Sequence, residues 1–178
     1  MRKGKVLWRS WFVGSAFAFL QACKSQIDMS QLLHKQAPVF ALPNQDGRVV
    51  DMAEYFGKVP VVLFFYPGDF TPGCTREACA FRDVYQELSR AGVAVFGISA
   101  DSVEKHRRFR EAYQLPYDLL SDKDDRVARF YGVGKTFFLK DRVTFLIDAN
   151  GAVMEVYKSP IRFERHARLA LEKLASAP

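Results

Sequence analysis

The chain has 178 residues, 49% hydrophobic and 26% charged. That is about one domain's length with enough apolar material for a packed core, which excludes a disordered chain, a fibre or a polytopic membrane protein. Its three cysteines are too few for a disulfide-stapled small fold. The net charge of +6 is concentrated at the start: residues 1–22 hold four bases and no acid, leaving 22 bases against 20 acids in the rest. The body therefore lacks the basic footprint of a nucleic-acid binder.

In chain order, Met1 to Arg9 is cationic and Ser10 to Ala22 is an uncharged, mostly apolar run of 13 residues. That is short of the ~20 residues a membrane span needs and has the pattern of a secretory signal. Leu20-Gln21-Ala22-Cys23 resembles the lipobox of bacterial lipoproteins, where cleavage falls before a cysteine that is then lipidated; Gln21 is the less usual occupant. On this reading residues 1–22 are a lipoprotein-type signal peptide, Cys23 is the lipidation site, 23–36 is a polar tether and 37–178 is the folded domain. The expected location is a membrane anchor facing the periplasm or the exterior. A soluble periplasmic protein, or a cytoplasmic one with the signal unused, stays open, with Cys23 then incidental.

Asp46-Gly47 separates two short apolar runs within Pro38 to Met52 and predicts a hairpin. Val59 to Tyr66 is a continuous apolar, β-branched and aromatic run that suits a central strand covered on both faces. Pro67 to Gly73 is a loop dense in Pro and Gly. From Cys74 to Arg90 the period turns helical, with Ala78, Phe81, Val84, Tyr85 and Leu88 on one face and Gly92 as the stop. Val93 to Ile98 is a second buried strand, Ser102 N-caps a charged amphipathic helix to Gln114, and Asp122 to Tyr131 forms another helix. Val143 to Asp148 and Ala152 to Lys158 flank Ala149-Asn150-Gly151 as an antiparallel hairpin, and Phe163 to Ala175 closes the chain as an amphipathic helix. This order predicts an α/β fold with a mixed sheet flanked by helices. The arrangement resembles the thioredoxin fold, with segments 37–60 and 115–135 as additions.

Chemistry is concentrated in the turn after the first core strand. Cys74 lies where a loop enters a helix. Unpaired N–H groups and the positive dipole end favour an anion there, lower a thiol's pKa, and make the thiolate available as a nucleophile. A buried, inert cysteine is the competing reading, against which the polar, Gly-rich setting argues. Cys79 is five residues on. In an intact helix, a rise of ~1.5 Å and a turn of ~100° per residue put the two Cα atoms ~8.5 Å apart. A disulfide needs less than ~7 Å. The pair closes only if this part of the helix unwinds, which suits a switch between dithiol and disulfide; two thiols that never meet is the alternative.

The spacing Pro67-x-x-x-Thr71-x-x-Cys74, and the longer string FYPGDFTPGCTREACAFRD, resemble the active-site motif of peroxiredoxins of the bacterioferritin-comigratory, or peroxiredoxin Q, subfamily. Arg142-Val143-Thr144-Phe145-Leu146-Ile147-Asp148 is similar to that family's arginine-bearing strand, and the likeness spans roughly residues 37–175. The resemblance implies a thiol-dependent peroxidase acting on hydrogen peroxide and organic hydroperoxides. It implies that Cys74 attacks the peroxide and becomes a sulfenic acid, that Thr71 holds the peroxide in line, that Arg142 stabilises the thiolate and the breaking O–O bond, and that Pro67 shields the sulfur from water. It further implies that Cys79 resolves the sulfenic acid as an intramolecular disulfide and that a thioredoxin-like dithiol protein reduces it. The sequence has no zinc-ligand spacing, phosphate-binding glycine loop or Ser-His-Asp signal, so no metal or other cofactor is expected. The chain is expected to act as a monomer. Phe70, where many relatives carry a polar residue, and the export signal depart from the pattern.

Taken alone, Thr71 reads equally as a helix cap, Arg142 as a solvated strand-end charge and Pro67 as a turn residue. Asp69 reads as loop structure and Glu77 as a first-turn acid complementing the helix dipole. His34, His106 and His166 read as surface residues, and Lys105-His106-Arg107-Arg108 with Arg110 as a solvated helix face. A thioredoxin-like disulfide reductase would need Cys-x-x-Cys and a copper chaperone Cys-x-x-x-Cys, so the four-residue gap between Cys74 and Cys79 disfavours both. A non-catalytic scaffold leaves the loop motif unexplained.

Overall fold

The computed structural model describes residues 28–136 and 139–175; the stretch expected to be a signal peptide, and Cys23, lie outside them. In chain order the elements are β1 (Ala41–Pro43), β2 (Val49–Asp51), β3 (Val61–Phe65), α1 (Pro72–Arg90), β4 (Ala94–Ser99), α2 (Val103–Tyr113) and β5 (Asp118–Ser121). They continue with α3 (Arg126–Phe130), β6 (Lys135–Thr136), β7 (Leu139–Lys140), β8 (Val143–Ile147), β9 (Val153–Lys158) and α4 (Phe163–Ala170), which runs on as a π-helical turn over Leu171–Ala175.

The central sheet has the order β5-β4-β3-β8-β9, with β3 parallel to β4 and antiparallel to β8. Every residue of β3 is buried because both faces are covered. Val61, Leu63 and Phe65 point into one core with α3 and the N-terminal hairpin; Val62 and Phe64 point into the other with α1, α2 and α4. This is the side-chain alternation of a pleated strand, and it confirms the mixed α/β sheet flanked by helices. Gly92, at φ +74°, ends α1 while Val93 N–H donates to the Leu88 carbonyl, and Ser102 caps α2 through the Lys105 N–H.

Three features depart from expectation. Asp118–Ser121 is an edge strand, built by parallel pairing with Phe96 to Ser99 of β4; two leucines between Pro116 and Asp122 carry no period of their own. The helix expected from Asp122 starts at Arg126, because the Asp122 carboxylate accepts from the Val127 and Ala128 N–H groups across a turn whose Asp125 is left-handed. Residues 28–36, expected within a tether, are folded onto the domain: His34 N–H donates to the Val153 carbonyl, Val153 N–H to the Lys35 carbonyl, and Leu32 is buried.

Candidate active site

The loop from β3 to α1 is anchored from behind. Asp69 is buried and accepts the Tyr66 hydroxyl at 2.7 Å and His106 Nδ1 at 2.8 Å, while its N–H donates to Asp101 at 2.6 Å. Burial, reinforced by Asp69, pushes the Tyr66 phenol well above its usual range, so it stays a hydrogen-bond donor. Phe70 takes a left-handed φ of +63°, a costly conformation for an aromatic residue. Its ring packs edge-on against Phe109 of α2, centroids 5.1 Å apart, which helps hold it.

Thr71 occupies the N-cap position of α1 without capping it; its hydroxyl donates to the Gly68 carbonyl at 3.0 Å. Cys74, in the first turn, is 1% exposed and packs among Val62, Phe64 and Ala78. The expectation that its polar neighbours keep it out of apolar surroundings is therefore corrected. Its charged hydrogen-bond partner among the described residues is Arg142, whose Nη2 reaches the sulfur at 3.3 Å.

Sheet register brings that arginine in. Val143 is opposite Phe65 across the β3–β8 pair, so Arg142 arrives where the chain leaves β3 for α1. Arg142 is itself buried and pairs through Nη1 with the buried Glu77. Burial works against its charge, but Glu77 and then Cys74 outweigh that, holding the guanidinium more firmly charged than an ordinary arginine. Burial pushes the Glu77 carboxyl up to about 8, with Arg142 pulling the other way. Behind Glu77, His166 Nε2 donates to the Ser159 carbonyl at 3.2 Å, so Nδ1 accepts from Thr144 at 2.8 Å and faces Glu77 Oε1 at 3.5 Å. Burial, helped by the Arg142 charge, lowers the His166 pKa to about 4, and the imidazole is neutral at pH 7.

Pro67, Thr71, Gly73, Arg142, Leu139 and Phe163 line a cavity of about 560 Å³ beside the Arg142 guanidinium. It is far larger than a water-sized oxidant requires. Neither cysteine lines it, and Cys79 lies elsewhere. It is half-buried further along an unbroken α1, near Arg82 and Tyr117, and both cysteines are free thiols. Among the described residues no cluster of His, Cys, Asp or Glu is placed to hold a metal ion.

Sequence reasoning misplaced three groups. Glu77, His106 and His166 are fully buried, where a first-turn acid and surface histidines were expected, while Asp69 has the loop-structural role expected of it. A helical signal was available for all three. Glu77 precedes Phe81 by four residues, His106 precedes Phe109 by three and His166 precedes Leu169 by three, each on the buried side of its helix. Arg107 and Arg108 are exposed, as expected of that face.

A parallel–antiparallel sheet that delivers an arginine to a buried helix-N-terminal thiol defines a thiol-based oxidoreductase. Residues 33–156 match the AhpC/TSA family, and the chain belongs to it. The peroxiredoxin bcp of Coxiella burnetii is 48% identical over 136 residues, covering 72% of this chain and 89% of that protein. The crystal structure of peroxidoxin BcpB from Mycobacterium tuberculosis superposes with a TM-score of 0.75 at 38% identity, covering 82% of this chain and 97% of that one. A structure of the bacterioferritin comigratory protein of Xanthomonas campestris, described for its alkyl peroxide reduction activity, gives 0.70 at 30% identity over 76% and 89%. Thiol-dependent peroxide reduction, as the motif implied, is the chemistry of this chain.

Proposed function

We propose that Cys74 is the attacking thiol and Cys79 the resolving one, in a peroxidase that accepts hydrogen peroxide and organic hydroperoxides. The observation that carries the reading is Arg142 Nη2 at 3.3 Å from the Cys74 sulfur, with the same arginine lining a cavity that it shares with Pro67 and Thr71. The Cys74 thiolate attacks the terminal peroxide oxygen, the O–O bond breaks, and the leaving alkoxide or hydroxide takes up a proton to depart as alcohol or water. The Arg142 charge stabilises the thiolate and the negative charge that develops on the separating oxygens. Thr71, its hydroxyl held near the Gly68 carbonyl, orients the peroxide, and Pro67 keeps water from the sulfur.

The resulting sulfenic acid condenses with the Cys79 thiol, releasing water and forming a disulfide. A thioredoxin-like dithiol protein reduces that disulfide by exchange. Because both cysteines sit on one helix, closure unwinds the first turns of α1. The size of the cavity and its apolar wall of Leu139, Pro160 and Phe163 favour hydroperoxides with an organic body. One equivalent of hydroperoxide followed by peptide mass spectrometry is expected to yield a Cys74–Cys79 disulfide, with faster amide exchange over residues 74–82. Recovery of unmodified Cys74, or unchanged protection of those amides, contradicts the scheme.

The same reading places the enzyme, as a monomer, at a membrane surface outside the cytoplasm, anchored through lipidated Cys23. The support is the cationic start, the 13-residue apolar run and the Leu20-Gln21-Ala22-Cys23 stretch. Mass spectrometry of the mature N-terminus is expected to show an acylated Cys23. Cleavage elsewhere, or an intact Met1, removes the anchor.

A further inference from the structure

The Arg142 guanidinium is incompletely held by hydrogen bonds. Nη1 meets Glu77 and Nη2 meets the Cys74 sulfur, while Nε is buried with no hydrogen-bond partner among the described residues. What lies against it is an aromatic ring. Phe163, the first residue of α4, has its centroid 4.8 Å from the Arg142 guanidinium carbon. The same ring leans on the backbone of Gly73: a Cβ built there would lie 2.7 Å from Phe163 Cε1 and 3.2 Å from Arg142 Nη2. Glycine at that position is what lets ring, guanidinium and the residue before Cys74 converge.

We propose that Phe163 is a positioning residue for the peroxidase reaction, its ring holding the Arg142 guanidinium against the Cys74 sulfur and excluding water from the cavity side. The inference rests on Cys74 being the nucleophile under Arg142. A cation against an aromatic face is attracted by the ring quadrupole, and the attraction grows when water is excluded. Arginine has a long, rotamer-rich side chain, so a surface that removes its alternative positions keeps the charge aligned at little reorganisation cost during attack. The other charged groups nearby do not supply that constraint. Arg76 lies 5.2 Å from the same ring but is exposed and engaged by Glu164. Lys158 and Asp141, at the cavity wall, pair with each other. His166 stands behind Glu77, and Glu77 grips a different nitrogen.

The test compares Phe163→Leu, which keeps apolar bulk without a π face, with Phe163→Tyr, which keeps the ring. Phe163→Met serves as a second ring-free variant if Phe163→Leu does not fold. Two quantities are read in a Cys79→Ser background: the single-turnover rate constant for Cys74 oxidation by hydroperoxide, and the pH titration of the Cys74 thiolate absorbance. Phe163→Leu is expected to slow oxidation about tenfold, the loss of one desolvated cation–π contact, and to move the titration to higher pH. Phe163→Tyr is expected to stay within about twofold of the parent. A ring-free variant with the parent's rate and titration overturns the proposal, as does Phe163→Tyr being as impaired as Phe163→Leu. If the parent itself shows no oxidation of Cys74, or is indifferent to Arg142→Gln, it is the underlying assignment that fails; if both hold and only the ring is dispensable, this inference alone fails.

Discussion

Cys74→Ser is expected to abolish hydroperoxide turnover, by at least about four orders of magnitude, the scale seen when a covalent nucleophile is removed. Serine's hydroxyl is not ionised at neutral pH, and its oxygen cannot take up a second oxygen and later surrender it to a thiol. The substitution is close to isosteric, and the new hydroxyl sits where Arg142 can donate to it, so the fold is expected to survive with a melting temperature within a few degrees of the parent. Loss of activity in a folded variant then reports chemistry. Cys79→Ser separates the two thiols: one equivalent of sulfenic acid still forms, and thioredoxin-coupled cycling stops. Sustained turnover by the Cys74→Ser protein, or by the Cys79→Ser protein with only thioredoxin as reductant, refutes the respective assignment.

Arg142→Gln is expected to reduce kcat/KM by about 10²- to 10³-fold, the size of a lost preorganised donor at a developing negative charge. It also removes the partner of a buried acid. Glu77 already binds its proton up to about pH 8 because of burial, so at neutral pH the variant is expected to keep that carboxyl neutral rather than unfold. The sign of the pH dependence follows. From the ordinary 4.5 up to about 8, the folded protein holds a proton that the unfolded chain has released; stability from this group therefore falls as pH rises through that window. His166, lowered from 6.5 to about 4, acts oppositely, adding stability as pH rises between those values. Between pH 6.5 and 8 only the Glu77 contribution of this pair remains, and Glu77→Gln is expected to flatten the decline in melting temperature there. Activity of Arg142→Gln within a few-fold of the parent contradicts the electrostatic role.

The local parts of the site were legible because their signals are local. The all-apolar run at 61–65, the Pro- and Gly-rich turn and the helical period after Cys74 each follow from a few neighbouring residues, and together they place Pro67, Thr71 and Cys74 within eight positions. The short strand Asp118–Ser121 was not legible, because its hydrogen bonds belong to β4 and its four residues show no alternation. Nor was the late start of α3, which depends on one carboxylate folding back over a left-handed turn. Arg142 was found through resemblance to a family motif; alone, it looked like a strand-end charge.

From its residues alone the chain declares an α/β sheet fold, a thiol at the entrance of a helix, a second thiol too far along that helix to bond without unwinding, and a cationic stretch followed by an apolar one over residues 1–22. Packing decided the rest. It buried Cys74, laid α4 over α1, enclosed Glu77 and His166 between them, and brought an arginine 68 positions away onto the sulfur. The reason is one of range. Backbone preferences and caps act over a few residues and can be read along the chain. The burial and pairing of charge depend on which surfaces meet, and those are joined by β-ladder register and helix packing across the whole domain.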